Sequence, residues 1–306
     1  MEKRFLEGKT VGILTGGGDT PALNSSIEQI RNHVSILGAK VYGIRQGWKG
    51  LLGEGDIVDL TNQPFDGKCG GTALKSSRTN PFPSKKNPES RVDQVLTNLD
   101  RYGIDILVTI GGDDTNGAAK KLWEQERIPV IGFPKTIDND LRTTTIHGYK
   151  GKDIEVCLCP GFPSAANSVV EYTQKIRTTA SSHNRVMVLE VMGRHAGWLT
   201  GTSSYGFADM ALIPEFEINK ERKEKFFEKV KEKYQENNYL IIAVSEGTRW
   251  YNDQTGQVEE VYASTETDEY GHPLSLIHIS EPTRLLSISY AVFCLKKKTK
   301  QPITPS

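Results

Sequence analysis

Two short runs carry the residue types that phosphoryl transfer requires. The first is Gly111-Gly112-Asp113-Asp114-Thr115, and the second is Pro134-Lys135-Thr136-Ile137-Asp138-Asn139-Asp140. Glycines let backbone N–H groups approach an anion closely. Carboxylates hold Mg2+ or accept a proton, and a lysine neutralises phosphate charge. Adjacent carboxylates such as Asp113 and Asp114 repel each other unless a cation lies between them. Asp138 and Asp140 sit two residues apart, so in an extended segment they point the same way. One can then act as base while the other orients metal or water. The bland alternatives are a solvated acidic turn and an Asp-Asn-Asp turn.

The elements that position these runs are legible as a β-α-β rhythm. Each run follows a short apolar strand, 106–110 and 128–133. Upstream, TVGILT (10–15) reads as a buried strand that enters the loop Gly16-Gly17-Gly18-Asp19-Thr20-Pro21 and then a helix over 22–34. Such a loop, with the helix N-terminus behind it, can cradle phosphate. It is neither G-x-G-x-x-G nor a P-loop, which disfavours a standard dinucleotide or Walker site. Further expected elements are a strand at 39–44, helices at 91–102 and 116–126, and a hairpin over 143–158. After these come a helix at 164–179, a strand at 185–191, a helix at 197–206 and a strand at 209–213. A charged helix at 219–237 and a strand at 239–244 end at Ser245-Glu246-Gly247. The fold class predicted is α/β, with two doubly wound parallel-sheet (Rossmann-like) domains and the active site in the cleft between them. Ligands in such sheets bind outside the carboxyl ends of the strands. The expected domains are 1–142 and 143–250, followed by a return segment starting at 251–273.

Weaker candidates lie elsewhere. Gly70-Gly71-Thr72 with Ser76-Ser77-Arg78 is a second small-residue loop, and Arg78 can contact a phosphate oxygen. Arg185 and Met192-Gly193-Arg194-His195 bracket one strand, with Arg194 leaving its carboxyl end and Arg185 at the opposite end. His195 is expected to be structural. The lysines and glutamates of 219–237 read as a solvated face, with Phe226, Phe227, Val230 and Tyr234 turned inward.

The 306 residues are 37% hydrophobic and 25% charged, with 38 basic and 38 acidic side chains. The balance favours neither nucleic acid nor an anionic membrane as a partner. Four cysteines, Cys69, Cys157, Cys159 and Cys294, form no zinc-type or disulfide framework, and Cys157 and Cys159 are expected on one strand face. No secretory signal or spanning segment is visible, so a cytoplasmic setting is expected.

GILTGGGDTPALN, GGTALKSSRTNP, TIGGDDT, PKTIDND and ASSHNRVMVLEVMGRHAG, with the Glu246 strand end, resemble the phosphofructokinase family over about 9–273. The resemblance implies Mg2+-dependent phosphoryl transfer to the 1-hydroxyl of fructose 6-phosphate. It implies Asp138 as general base and a sugar contact at Thr136 and Asp138. The metal would sit on Asp113, with Asp140 a second candidate. Met192, Gly193, Arg194 and Glu246 would bind the sugar phosphate, Arg185 would reach that of a neighbouring subunit, and Gly17 and Arg78 would lie along the donor phosphates. Thr136 and Arg194 join Asp138 in the catalytic set. Members that use ATP resemble GGDG and PGTIDND at these places, whereas Asp114 and Lys135 resemble the pyrophosphate-dependent members. Aspartate for glycine adds bulk and negative charge where a nucleotide's α-phosphate would pass, and lysine offers an ammonium to pyrophosphate. The implied partners are pyrophosphate, fructose 6-phosphate and a second copy in a homodimer or homotetramer, with no nucleic acid and no membrane. An ATP-dependent enzyme and a non-catalytic regulatory subunit are the alternatives. The family also implies a return to the first domain after Pro273 that supplies further basic residues.

From Leu274 the composition changes. Leu274–Arg284 and Ile288–Lys298 resemble translated read-through of a sequencing-library adapter ending in a poly-A run. Residues 274–306 are therefore expected to stand outside the native fold.

Overall fold

The computed structural model describes residues 6–63, 65–84, 88–141, 144–156, 158–260 and the strand 292–295. The chain divides into two compact units, with the division between Ala165 and Ala166. The hairpin therefore belongs to the first unit, and the division lies beyond the 142/143 boundary expected from sequence.

The first unit is built on a five-stranded sheet. Its strands are β1 (Thr10–Thr15), β2 (Lys40–Ile44), β3 (Ile57–Asp59), β4 (Ile106–Gly111) and β5 (Val130–Pro134), in the order β3-β2-β1-β4-β5. All neighbours are parallel except β3, which pairs antiparallel with β2. Alternate residues of the apolar strands face opposite layers. Val11, Ile13, Val108 and Ile110 pack with Leu23 and Ile27 of α1 (Ala22–Ile36). Leu14 and Leu107 pack instead with Val92, Val95 and Leu99 of α2 (Val92–Arg101) and Leu122 of α3 (Asp113–Glu126). Helices thus cover both faces, as a doubly wound sheet requires. Sequence periodicity did not anticipate the three-residue β3 or the short π-type segment at Gly50–Glu54, both too brief to show a period.

Two antiparallel strands follow, β6 (Thr144–Tyr149) and β7 (Lys152–Val156). Lys150 and Gly151 both have positive φ, 49° and 75°, the type I′ pattern that matches strand twist in a two-residue hairpin.

The second unit contains β8 (Val186–Val191), β9 (Met210–Leu212) and β10 (Leu240–Ser245), with β10 parallel to both neighbours. Helix α4 (Phe162–Ser182) crosses the unit division, and Ala180 packs with Met187 and Ile241. Helix α5 (Trp198–Thr202) continues into a 3-10 turn at Ser203–Gly206, where one helix over 197–206 was expected. Helix α6 (Lys220–Asn237) is capped by Asn219, whose side chain accepts the Arg222 N–H at 2.9 Å. Phe226 and Val230 pack onto the Leu212, Leu240 and Ile242 cluster, while Phe227 stays exposed. A small hairpin, β11 (Arg249–Tyr251) and β12 (Val258–Glu260), straddles the 250/251 boundary at which the return segment was expected to start. The strand β13 (Val292–Leu295) falls inside the set-aside tail and pairs antiparallel with β8. Among the described residues no helix is long and apolar enough to cross a membrane.

Candidate active site

In the first unit the strand order reverses between β1, which has β2 on one side and β4 on the other. The chain leaving β1 and that leaving β4 therefore run to helices on opposite faces at this switch point, the place where ligands bind in such sheets. Gly16–Gly18 follows β1, and Gly112 caps α3 after β4. Asp113 and Asp114 form the first turn of α3, rather than a loop before a helix at 116, and both are exposed there. Acidic residues suit that turn because they complement the helix dipole.

Glycine at 16 and 111 is a packing requirement. A Cβ on Gly16 would stand 2.2 Å from Thr115 Oγ1, and one on Gly111 2.5 Å from Thr115 Cβ. The buried Thr115 thereby draws α3 against both strand ends. Gly17 has φ +75° and opens toward Lys135, whose Nζ lies 3.4 Å from the Cβ position there. Lys135 is only 4% exposed. Its Nζ donates to the Gly18 carbonyl at 2.5 Å, and its backbone N–H donates to Gly111 O at 2.9 Å. Burial pushes the ammonium down to a pKa of about 8, opposed by the nearby carboxylates of Asp19 and Asp138. One lysine thus links the loop after β1, the end of β4 and the Thr136–Asp140 turn.

That turn is compact. Thr136 Oγ1 accepts the Asp138 N–H at 3.1 Å, and Asp138 is half-buried while Asp140 is exposed. The second small-residue loop lies against the first. Ser76 Oγ donates to Gly17 O at 2.5 Å, and Thr15 Oγ1 meets Thr72 Oγ1 at 2.9 Å and Lys75 O at 2.8 Å. Arg78 is exposed two residues beyond Ser76. Gly17, Asp113, Asp114, Lys135, Thr136 and Asp138 therefore share one edge of the first sheet, with the Arg78 loop joined to it. Among the described residues no group of three or more His, Cys, Asp or Glu side chains is gathered to hold a metal.

In the second unit Met192–Arg194 leave the carboxyl end of β8 and Glu246 leaves that of β10, with Ser245 level with Val191. The two exits interlock. Gly193 has φ +129°, and a Cβ there would stand 2.4 Å from Ala196 O. Ser245 Oγ donates to Gly193 O. A Cβ on Gly247 would come within 1.8 Å of Arg194 O. Arg185 immediately precedes β8 and so stands at the opposite end of that strand from Arg194. His195 is exposed.

Several residues near these sites escaped sequence reasoning. Glu190, inside β8, has its pKa raised by burial and by the neighbouring Glu246 carboxylate. Oε2 of each is buried with no hydrogen-bond partner among the described residues. A strand glutamate in VLEV reads as an ordinary solvent-facing position, and only the pairing of β8 with β10 brings it to Glu246. Asp19 belongs to the glycine-loop motif, but its proximity to Lys135 depends on chain folding across the sheet. Cys159 is buried beyond β7 rather than on a strand face, and Cys157 lies outside the described residues.

Residues 10–281 match the phosphofructokinase family. A "Pyrophosphate--fructose 6-phosphate 1-phosphotransferase" of Thermoproteus tenax is 38% identical over 274 residues, covering 86% of this chain and 69% of that protein. An "ATP-dependent 6-phosphofructokinase" of Chloroflexus aurantiacus is 39% identical over 247 residues, covering 78% of this chain and 65% of the relative. The crystal structure of a pyrophosphate-dependent phosphofructokinase from Marinobacter aquaeolei superposes with a TM-score of 0.63 at 27% identity, over 80% of this chain and 62% of that one. The parallel sheets with helices packed on them define an α/β protein of the doubly wound class. The chain belongs to the phosphofructokinase family. It spans about three fifths of the length of the solved relative.

Proposed function

We propose that this chain carries the catalytic units of a pyrophosphate-dependent phosphofructokinase. The reaction is the reversible transfer of a phosphoryl group from pyrophosphate to the 1-hydroxyl of fructose 6-phosphate. The carrying observation is Lys135, a buried ammonium seated against the Gly17–Gly18 backbone. A cation that fills the space beside a phosphate-cradling loop favours a short, highly charged donor. Asp114, on the first turn of α3, opposes the longer nucleotide, so attraction and exclusion work together.

In this reading Asp138 removes the proton of the 1-hydroxyl as its oxygen attacks the nearer phosphorus of pyrophosphate in line. The bridging P–O bond breaks, phosphate leaves, and Asp138 holds the proton. Thr136 contacts the sugar beside Asp138, and Lys135, Arg78 and Arg194 offset charge on the transferring group. Met192, Gly193 and Glu246 bind the sugar phosphate, with Arg185 serving a neighbouring subunit's site. The buried oxygens of Glu190 and Glu246 suit hydroxyl donors of a sugar. Asp113, exposed on the first turn of α3, would hold Mg2+, with Asp140, also exposed, as the second candidate. Bound there, the ion supplies charge neutralisation on the phosphate oxygens. A cytoplasmic setting and a homodimeric or homotetrameric parent belong to the same reading.

The test is turnover of the purified protein with each donor. Pyrophosphate is expected to support phosphorylation and ATP is not; robust ATP use without pyrophosphate use overturns the donor reading. That second reading is favoured by the similar identity to an ATP-dependent relative. Asp138→Ala with undiminished turnover would instead point to a non-catalytic role for the site.

A further inference from the structure

The turn carrying Asp138 bends through Asn139 at φ +57°, and Asn139 is only 5% exposed. Asparagine tolerates the left-handed region, yet a buried residue there persists only when its surroundings hold it. The hold comes from the segment that follows β7. The Cys159 N–H donates to Asn139 Oδ1 at 3.0 Å. The Cys159 thiol donates to the Leu141 carbonyl at 3.1 Å. Thr136 and Gly161 form a parallel β-bridge. The segment therefore grips the turn before, beside and after Asp138.

Both ends of this grip are built tightly. Cys159 is 0% exposed. Gly161 has φ +107°, and a Cβ there would stand 2.8 Å from Thr20 Cγ2 and 3.1 Å from Thr136 O. Gly161 thus wedges between the catalytic turn and the end of the glycine loop.

We infer that Cys159–Gly161 is a strap that positions Asp138, with the Cys159 thiol acting as a hydrogen-bond donor and not as a reacting group. The inference rests on the reading of Asp138 as the base. A base must sit within hydrogen-bond reach of the hydroxyl it serves, so a turn free to shift loses turnover more than donor affinity. Cys159 is a positioning residue, since it acts through Asn139 and Leu141.

Three variants of the full chain test this. Cys159→Ala removes the thiol donor, Cys159→Ser keeps a donor, and Asn139→Gly removes the acceptor while allowing the same backbone. Two readouts are taken: steady-state kinetics with pyrophosphate and fructose 6-phosphate, and amide hydrogen exchange over 136–141. Cys159→Ala and Asn139→Gly are expected to lower kcat about tenfold, with the KM for pyrophosphate changed less than about twofold, and to speed exchange in the turn. Cys159→Ser is expected to restore both. Asn139→Gly carries the test if Cys159→Ala does not fold. Wild-type exchange and kcat in the donor-deleted variant overturn the strap. If the wild-type chain turns over neither donor, the functional reading fails, and the exchange readout still decides the strap.

Discussion

Lys135 concentrates the chemistry of the first unit in one side chain. Its pKa of about 8 lies below the ordinary lysine value of 10.5, a difference of about 3 kcal/mol between its two protonation states. Burial imposes this cost, and the carboxylates of Asp19 and Asp138 reduce it. If the ammonium receives pyrophosphate, kcat/KM for pyrophosphate is expected to hold below about pH 8 and to fall as the pH rises through it. Lys135→Arg should move that alkaline limb upward, which a pH–rate profile reads directly. Stability runs the other way. Between about pH 8 and 10.5 the unfolded chain keeps a proton that the folded chain has lost, so this residue makes stability rise with pH across that window. Lys135→Met should flatten that rise in urea titrations at successive pH values. The double change Asp114→Gly with Lys135→Gly is expected to weaken pyrophosphate use; an unchanged rate would remove both from donor selection.

The strand exits make a sharper distinction among glycines than the motif does. Gly16, Gly17 and Gly18 are adjacent, yet a Cβ on Gly16 would overlap Thr115, one on Gly17 would only touch Lys135 Nζ at 3.4 Å, and Gly18 has nothing within 4 Å of its Cβ position. Gly16→Ala is expected to cost about 1–3 kcal/mol in chemical denaturation, while Gly18→Ala stays within about 0.5 kcal/mol. In the second unit Gly247→Ala should be at least as damaging as Gly16→Ala. Its obstacle is the Arg194 backbone carbonyl, which cannot rotate away as a side chain can. The helix and strand cores were legible because TVGILT and ILVTI are continuous apolar runs and Val92, Val95 and Leu99 recur at helical spacing. Short elements such as β3 and the Gly50–Glu54 segment were not, because their existence depends on neighbours rather than on any period.

The chain as a whole has equal numbers of basic and acidic side chains, so any anion binding of the proposed kind must be local and not the work of a global field. It contains two units, each with its own sheet and with interesting loops at the carboxyl edge. The tail was expected to stand outside the fold from Leu274, yet the family match runs to residue 281 and β13 pairs with β8. Truncation after Pro273 is expected to leave the thermal midpoint of the second unit within about 2 °C. A larger fall would make β13 an integral edge strand and overturn the adapter reading.

Sequence alone determined the alternation of strands and helices, the family, and the residue types that meet at the ends of β1, β4 and β5. These depend on local apolar runs and on short motifs, which a linear chain displays openly. Tertiary structure decided that Lys135 is buried against Gly18, that Glu190 is a neighbour of Glu246, and that Cys159 holds the Asp138 turn. Each is a contact between segments distant in sequence or on different strands, where burial and register set the chemistry and no local pattern records them.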